Sequence, residues 1–167
     1  ITGLGVVSAF GVGAEAFWEG LTAGRCAIGR PSALDMSGFS CQYAAEAPAL
    51  TMKDHLPKHY RKFARVMARD IELAVVAANE AAASARLGSL ENEGEGVDRA
   101  HPPHRLGTHV GAALIAPEIP ELARAMHAAA TDAGEWDMGK WGEVGMGQLT
   151  PLWMLKYLPN MPACQIG

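Results

Sequence analysis

The sequence lacks the features that mark membrane, disulfide-rich and nucleic-acid-binding proteins. No apolar run approaches the roughly 18 residues that a membrane-spanning helix needs. The three cysteines, Cys26, Cys41 and Cys164, are odd in number and show no CxxC spacing, which favours a reduced, cytoplasmic setting. The net charge of −4 argues against a general nucleic-acid binder. With 49% hydrophobic and 19% charged residues, the composition is that of a globular protein with a substantial core.

The chain also lacks an initiating methionine. It begins ITGLGVVS, an apolar and β-branched stretch that is typical of the inside of a strand. We therefore expect a fragment at both ends, so the lack of a targeting signal carries no information about the natural gene product. The 167 residues suffice for one domain, whereas two would be small.

Hydrophobic periodicity predicts two strands, at ITGLGVVSAFGVG, which runs into a glycine-rich turn, and at RLGTHVGAALI. It predicts a short helix over residues 14–24, with Phe17, Trp18 and Leu21 as its apolar stripe and Gly24 as its stop. The order strand, helix, strand, helix without tight hairpins indicates an α/β layered fold.

Two longer helices are predicted further along the chain. An alanine-rich helix is expected over residues 57–87, with Gly88 ending it. Residues 116–134 form a second, with proline near its start and acidic residues in its first turn. Residues 88–104 and 135–147 are predicted to be loops, and 149–167 to be partly helical.

Two site patterns are near misses. Gly3-x-Gly5-x-x-Ser8 approaches the dinucleotide fingerprint, but LTAGRCAIGRPS supplies no acidic residue for the ribose, and a tight strand-to-helix turn explains the glycines. His101, His104 and His109 have no cysteine or carboxylate at a useful spacing, and we interpret them as solvated loop residues. The sequence thus predicts no metal or cofactor site.

LPKHYRKFARVMAR carries a basic stripe. At about 100° per residue, five cations fall on one side of a helix, opposite Phe63, Met67, Ile71 and Ala74. They are Lys58, Arg61, Lys62, Arg65 and Arg69. This stripe is either a solvated face or a dock for an acidic partner, and the residues alone do not separate the two.

Three segments, in order, resemble the β-ketoacyl synthases, the condensing enzymes of fatty-acid and polyketide synthesis. ITGLGVVSAFGVGAEAFWEGLTAGRCAI is similar to the family's opening strand, turn and helix. RLGTHVGAALIAPEIPE resembles its second strand, and LTPLWMLKYLPNMPACQIG resembles the segment running into its Asn-Met helix. Departures from the pattern include Ala9 in place of proline, and Gly147 with Gln148 in place of a basic pair.

The resemblance implies a thiolase-like fold of two similar halves, each a mixed sheet with packing helices in α-β-α layers. This chain would be a truncated N-terminal half. The family's cysteine nucleophile follows the Asn-Met helix, and its two histidines lie in the second half, so no catalytic residue is expected among residues 1–167. Asn160 and Met161 match Asn-Met, and Cys164, which could otherwise be read as a nucleophile, is expected to be a small buried thiol.

The resemblance also assigns binding residues. Leu114 matches an apolar gate beside the acyl pocket, and Trp153 and Met154 match residues that line its far end across a homodimer interface. Lys58, Arg61 and Lys62 match cations that receive the acidic acyl carrier protein, which favours the docking interpretation of the stripe. No cofactor is implied.

Two functions follow from this resemblance. The first is decarboxylative condensation of an acyl thioester with malonyl-acyl carrier protein, giving a 3-oxoacyl product. The second is the role of a non-catalytic, chain-length-factor-type partner that keeps the fold without the cysteine. A third hypothesis, a nucleotide-binding module, would need dinucleotide binding that we do not expect.

Overall fold

The computed structural model describes residues 1–87 and 101–167, which form two compact units. The first unit comprises Ile1–Arg61 and Glu72–Gly107, and the second comprises Lys62–Ile71 and Thr108–Gly167. Most of the predicted loop 88–104 lies outside the described residues. In the parts of the chain that are described, no helix is long and apolar enough to cross a membrane.

The first unit contains two small antiparallel sheets. Strand β1 (Val7–Ser8) pairs with β2 (Gly11–Val12), and β3 (Ile28–Gly29) pairs with β4 (Ala44–Ala45). The expected opening strand is therefore confirmed only over a short stretch. The expectation that tight hairpins are absent is wrong, because two residues alone join β1 to β2.

Helices of the first unit include α1 (Ala14–Thr22) and α2 (Met52–His55). Helix α1 confirms the first predicted helix, but its expected apolar stripe is largely on the surface. Trp18 is 66% exposed and Leu21 is 48% exposed. Burial in this unit falls instead on the side chains of Met52, Leu56, Val75 and Val76.

The predicted helix over 57–87 is wrong at its start. A turn at 58–60 leads into a 3₁₀ helix, Arg61–Val66, and α3 (Arg69–Ser84) begins only afterwards. Histidine, tyrosine, phenylalanine and valine in HYRKFARV are weaker helix formers than the alanines that follow, which accounts for the late start. Met67 and Ile71 are buried as expected, whereas Phe63 is 37% exposed.

The first glycines pack directly against α3. A Cβ atom at Gly3 would collide with the backbone of α3 at Ala81, and one at Gly5 with the backbone at Ala77. Ala77 and Ala81 are four residues apart and so lie on one face of α3. Glycine is thus required because two backbones approach each other, a different reason from the tight turn that the sequence suggested.

Helices α1 and α3 end in the same hydrogen-bonded motif. After α1, Gly24 has a φ of 63°, and the amide of Arg25 donates to the Gly20 carbonyl at 3.0 Å. After α3, Arg86 occupies the equivalent position with a φ of 57°, and the amide of Leu87 donates to the carbonyl of Ala82 at 2.9 Å. The predicted stop at Gly24 is confirmed, whereas α3 ends at Ser84, before Gly88.

The second unit is mainly helical. Helix α4 (Ile119–Ala128) confirms the predicted helix with proline near its start and Glu121 in its first turn. The expected strand at 105–115 is wrong, since a strand needs a paired neighbour and the described residues supply none there. The partly helical C-terminal segment is confirmed by α6 (Trp153–Tyr157) and α7 (Met161–Ile166).

Residues 135–147, predicted to be a loop, are mostly helical. They contain α5 (Met138–Lys140), a π-helical turn Trp141–Gly145 and the start of a 3₁₀ turn Met146–Gln148. The glycines there lower helix propensity, but the Asp137 side chain accepts a hydrogen bond from the Lys140 amide at 2.7 Å. Packing of this region against α4, where Gly145 lies close to the Ala125 carbonyl, overrides the local preference.

Candidate functional site

The three predicted acyl-pocket residues all belong to the second unit. Leu114 precedes α4 and is 85% exposed, and Met154 on α6 is 59% exposed. Trp153, the first residue of α6, is half-buried. A cleft of about 620 Å³ in the same unit is lined by none of these three. Its lining residues are Met126, His127, Ala130, Thr131, Asp132, Gly134 and Trp136.

A polar cluster around the buried Glu121 and Tyr157 links α4 to α6. Glu121, only 6% exposed, accepts hydrogen bonds from the Tyr157 hydroxyl at 2.9 Å and the Lys156 ammonium at 3.1 Å. Its other carboxylate oxygen accepts from the Thr150 hydroxyl at 3.2 Å. The Glu118 backbone amide in turn donates to the Tyr157 hydroxyl at 3.2 Å. We call Glu121, Lys156, Tyr157 and Thr150 the α4–α6 clamp.

The electrostatics of the clamp favour the ion pair. Burial alone would raise the pKa of Glu121, but hydrogen bonds from Lys156, Tyr157 and Thr150 outweigh it and lower the pKa below 4.5. Burial would likewise lower the pKa of Lys156, but hydrogen bonds with Glu121 and Glu118 raise it well above 10.5. For Tyr157, burial is the main cause that raises the pKa above 10.0.

The clamp touches a predicted pocket residue. The rings of Trp153 and Tyr157 lie 4.9 Å apart at 54°, one helical turn from each other. The indole nitrogen of Trp153 is buried and donates to no acceptor among the described residues. Tyr157 therefore connects Trp153 to the Glu121 carboxylate.

Sequence reasoning missed the clamp. A signal existed in LWMLKYL, where a single lysine interrupts an apolar run, since a lysine in such surroundings needs an anionic partner. Nothing in the sequence identified Glu121, 35 positions earlier, as that partner.

The predicted carrier-binding cations are all exposed. Lys58 and Arg61 belong to the first unit and Lys62 to the second. The Arg61 Nε atom donates to the Leu56 carbonyl at 3.3 Å, and the Lys62 ammonium lies 5.3 Å from the centre of the Phe63 ring. Lys58 lies in the turn before the 3₁₀ helix, so the single α-helical stripe that the sequence predicted is wrong as a geometry.

Cys164 is exposed, so the expectation of a buried thiol is wrong. It lies in α7 about 200° around the helix from the buried Pro162, which turns it away from the packed side. The side-chain amide of Asn160, the residue before α7, donates to the Cys164 sulfur at 3.6 Å. Pro162 lies in the first turn, where its missing amide hydrogen is tolerated.

The histidines that were considered as metal ligands are all exposed: His101, His104 and His109. Within residues 1–87 and 101–167, no three His, Cys, Asp or Glu side chains are grouped so that they could hold a metal ion. Gly3 and Gly5, considered for a dinucleotide, pack against α3.

Comparison with known proteins relates the chain to β-ketoacyl synthases in each case. The model of the β-ketoacyl synthase N-terminal domain matches residues 1–114. The 3-oxoacyl-[acyl-carrier-protein] synthase 2 of Staphylococcus aureus is 31% identical over 123 residues, which is 74% of this chain and 28% of that protein. A Streptomyces virginiae protein described as a polyketide β-ketoacyl synthase is 34% identical over 115 residues, or 68% of this chain and 24% of that protein.

Solved structures that resemble this chain include ketosynthases. A β-ketoacyl synthase from Burkholderia phymatum superposes with a TM-score of 0.65 at 26% identity, covering 99% of this chain and 35% of the other. The ishigamide ketosynthase/chain length factor superposes with a TM-score of 0.63 and the same coverage, and its 22% identity supports a shared fold alone. The chain thus spans between 24% and 28% of the two curated relatives described above. Since the N-terminal domain model matches well over half of its residues, the chain belongs to the β-ketoacyl synthase family.

Proposed function

We propose that residues 1–167 provide the N-terminal β-ketoacyl synthase domain of a condensing enzyme. The natural full-length protein would join an acyl thioester to malonyl-acyl carrier protein and release a 3-oxoacyl product. The family match over residues 1–114 carries this proposal, and the relatives named for 3-oxoacyl and polyketide synthesis support it.

The reaction proceeds in two transfers. A cysteine thiolate outside residues 1–167 displaces the carrier thiol from the acyl thioester, so one C–S bond forms as another breaks. Malonyl-carrier then loses CO₂, and the resulting carbanion attacks the acyl carbonyl. A C–C bond forms, the cysteine leaves as a thiolate, and the 3-oxoacyl group remains on the carrier.

The acyl chain would be held by apolar residues of the second unit. Leu114 and Met154 present exposed apolar side chains, and Trp153 lies next to Met154 on α6. Each methylene removed from water contributes about 0.8 kcal/mol, so an apolar wall suits an acyl chain. In the proposed homodimer, Trp153 and Met154 line the far end of the pocket, and Trp153 shortens it.

The carrier would dock on Lys58, Arg61 and Lys62. All three are exposed and cationic, and an acyl carrier protein is acidic. Such a surface raises the rate of encounter and orients the partner. We also propose that the chain folds as one thiolase-like half, with a mixed sheet in α-β-α layers. The helices and small sheets of the described residues are compatible with such a half.

The test follows 3-oxoacyl-carrier formation by the natural full-length protein from acyl-carrier and radiolabelled malonyl-carrier. We expect labelled product and a covalent acyl-enzyme. Carrier binding without product would indicate the chain-length-factor-type alternative, and a structural neighbour of that description exists. Absence of both binding and product would contradict the proposal.

A further inference from the structure

The α4–α6 clamp contacts chain on both sides of a very short helix. Helix α6 has five residues, too few for a helix to be stable through its own hydrogen bonds. Its position must therefore come from tertiary contacts. Thr150, just before α6, and Lys156 and Tyr157, at its end, all bind the Glu121 carboxylate.

The clamp has a defined geometry. The Tyr157 hydroxyl donates to Glu121 and accepts from the Glu118 amide, so both of its hydrogen-bonding capacities are used. Lys156 also bridges Glu121 to Glu118, with N–O distances of 3.1 and 3.2 Å. A hydrogen-bonded network around the buried Glu121 and Tyr157 fixes one arrangement, because any shift of α6 breaks several charged hydrogen bonds together.

From this geometry we infer that the clamp sets acyl-chain selectivity by fixing the rotation of α6, an inference that rests on the proposed function. Tyr157 packs against the Trp153 ring at 4.9 Å, so the clamp determines where Trp153 and its neighbour Met154 point. Glu121, Lys156 and Tyr157 are positioning residues. Loosening them lets Trp153 move and admits longer acyl chains.

The kinetic test uses the natural full-length protein with acyl-carrier substrates of increasing chain length. Glu121→Gln removes the negative charge of the clamp, and Tyr157→Phe removes the hydroxyl with its two hydrogen bonds, while both keep side-chain shape. We expect the ratio of kcat/KM for long over short chains to rise about tenfold, the scale of discrimination by small changes in an apolar pocket. The kcat/KM for malonyl-carrier should stay the same.

Glu118→Gln is the matched control. Glu118 binds the same ammonium, but its side chain is 61% exposed against 8% for Glu121. Its substitution leaves the backbone amide on Tyr157 in place, so the chain-length profile should not change. Equal losses at every chain length in Glu121→Gln and Tyr157→Phe would overturn the inference and leave the clamp a purely structural role.

A second measurement needs no activity. Acrylamide quenching of Trp153 is isolated in the 167-residue chain by subtracting the spectrum of the Trp153→Phe variant in each background. Quenching of Trp153 should increase in Tyr157→Phe and stay unchanged in Glu118→Gln. Unchanged quenching in Tyr157→Phe would overturn the inference. If wild type forms no 3-oxoacyl product while quenching still rises, the proposed function fails and the clamp's control of α6 stands.

Discussion

The ammonium of Lys156 lies 3.1 Å from the carboxylate of Glu121, although Glu121 is 6% exposed and Lys156 follows an apolar run. Two largely desolvated charges persist there because each has further hydrogen bonds. Glu121 accepts from Thr150 and Tyr157, and Lys156 donates to Glu118. Such a pair responds to pH through both partners.

The stability of the chain should depend on pH through Glu121. Its pKa is lowered below 4.5 when folded, so its contribution is present above pH 4.5 and is lost as the pH falls through the folded pKa. Glu121→Gln should reduce the free energy of unfolding at neutral pH by about 1.5–3 kcal/mol, the range for hydrogen bonds to charged groups. Urea titrations should show this difference shrinking below pH 4.5.

At alkaline pH, the free energy of unfolding should change with pH in the opposite direction. The folded pKa values of Lys156 and Tyr157 are raised, so the stability that these side chains contribute is intact below pH 10.0 and is lost as the pH rises through the folded pKa values.

Exposed Glu118→Gln should change stability little at any pH, since surface pairs contribute about 0–1 kcal/mol. A pH-independent difference between wild type and Glu121→Gln would contradict the assignment.

Charge reversal should weaken carrier binding without harming the chemistry. Lys58→Glu, Arg61→Glu and Lys62→Glu together should raise the KM for acyl carrier protein by about tenfold, from exposed pairs of about 0.2–1 kcal/mol each. The effect should fall as salt increases. A small thioester without the carrier should react at the wild-type rate in the natural full-length protein.

The control for charge reversal changes net charge equally at other exposed arginines: Arg30→Glu, Arg105→Glu and Arg124→Glu. It should leave the carrier KM near wild type. Equal losses with carrier and small thioester would mean that the basic residues support the fold. Equal effects of both triple variants would mean that net charge alone attracts the carrier.

Gly5→Ala should destabilise the first unit. Its Cβ would meet the α3 backbone at Ala77, and neither backbone can yield without moving a whole element. We expect the free energy of unfolding to fall by about 1–3 kcal/mol. Gly38→Ala, where a Cβ meets nothing within 4 Å, serves as the comparison and should be close to neutral. Equal denaturation midpoints for the two variants would contradict the packing.

The two helix ends predict opposite effects. Gly24 and Arg86 occupy the same left-handed position, at φ values of 63° and 57°. Gly24→Ala should lower the free energy of unfolding by about 1–2 kcal/mol. Arg86→Gly should raise it by about 0.5–1 kcal/mol, after the greater unfolded-state entropy of glycine is subtracted. Thermal unfolding measures both. Destabilisation by Arg86→Gly would show that the arginine side chain contributes more than its strained backbone costs.

Cys164 should react readily with a thiol reagent in the folded chain, because it is exposed. Since the proposed nucleophile lies elsewhere, Cys164→Ala in the natural full-length protein should keep most condensing activity and the acyl label. Loss of the label on that substitution would identify Cys164 as the nucleophile and overturn the proposed placement of the catalytic cysteine.

The sequence predicted those parts of the fold that depend on local signals. Alanine content, the proline before α4 and Gly24 after α1 are each sufficient to indicate a helix or its end. It failed where distant contacts decide, as in residues 135–147, where packing against α4 makes a glycine-rich segment helical.

For the site, the exposure of Lys58, Arg61 and Lys62 could be predicted from their charge alone. Their geometry could not, because the change from α to 3₁₀ structure at Arg61–Val66 depends on small differences in propensity. The clamp could not be predicted from the sequence for another reason: Glu121 and Lys156 come into contact only when the second unit folds.

The shortness of α6 has a consequence for how this unit opens. The amide of Leu158, bonded to the Met154 carbonyl at 3.1 Å, would exchange its hydrogen within an isolated turn almost as fast as in an open chain. Because Glu121 and Tyr157 tie that turn to α4, the turn can open only when those side chains separate. The Leu158 amide should therefore exchange together with the amides of α4, and α4 and α6 should form one cooperative unit of local unfolding.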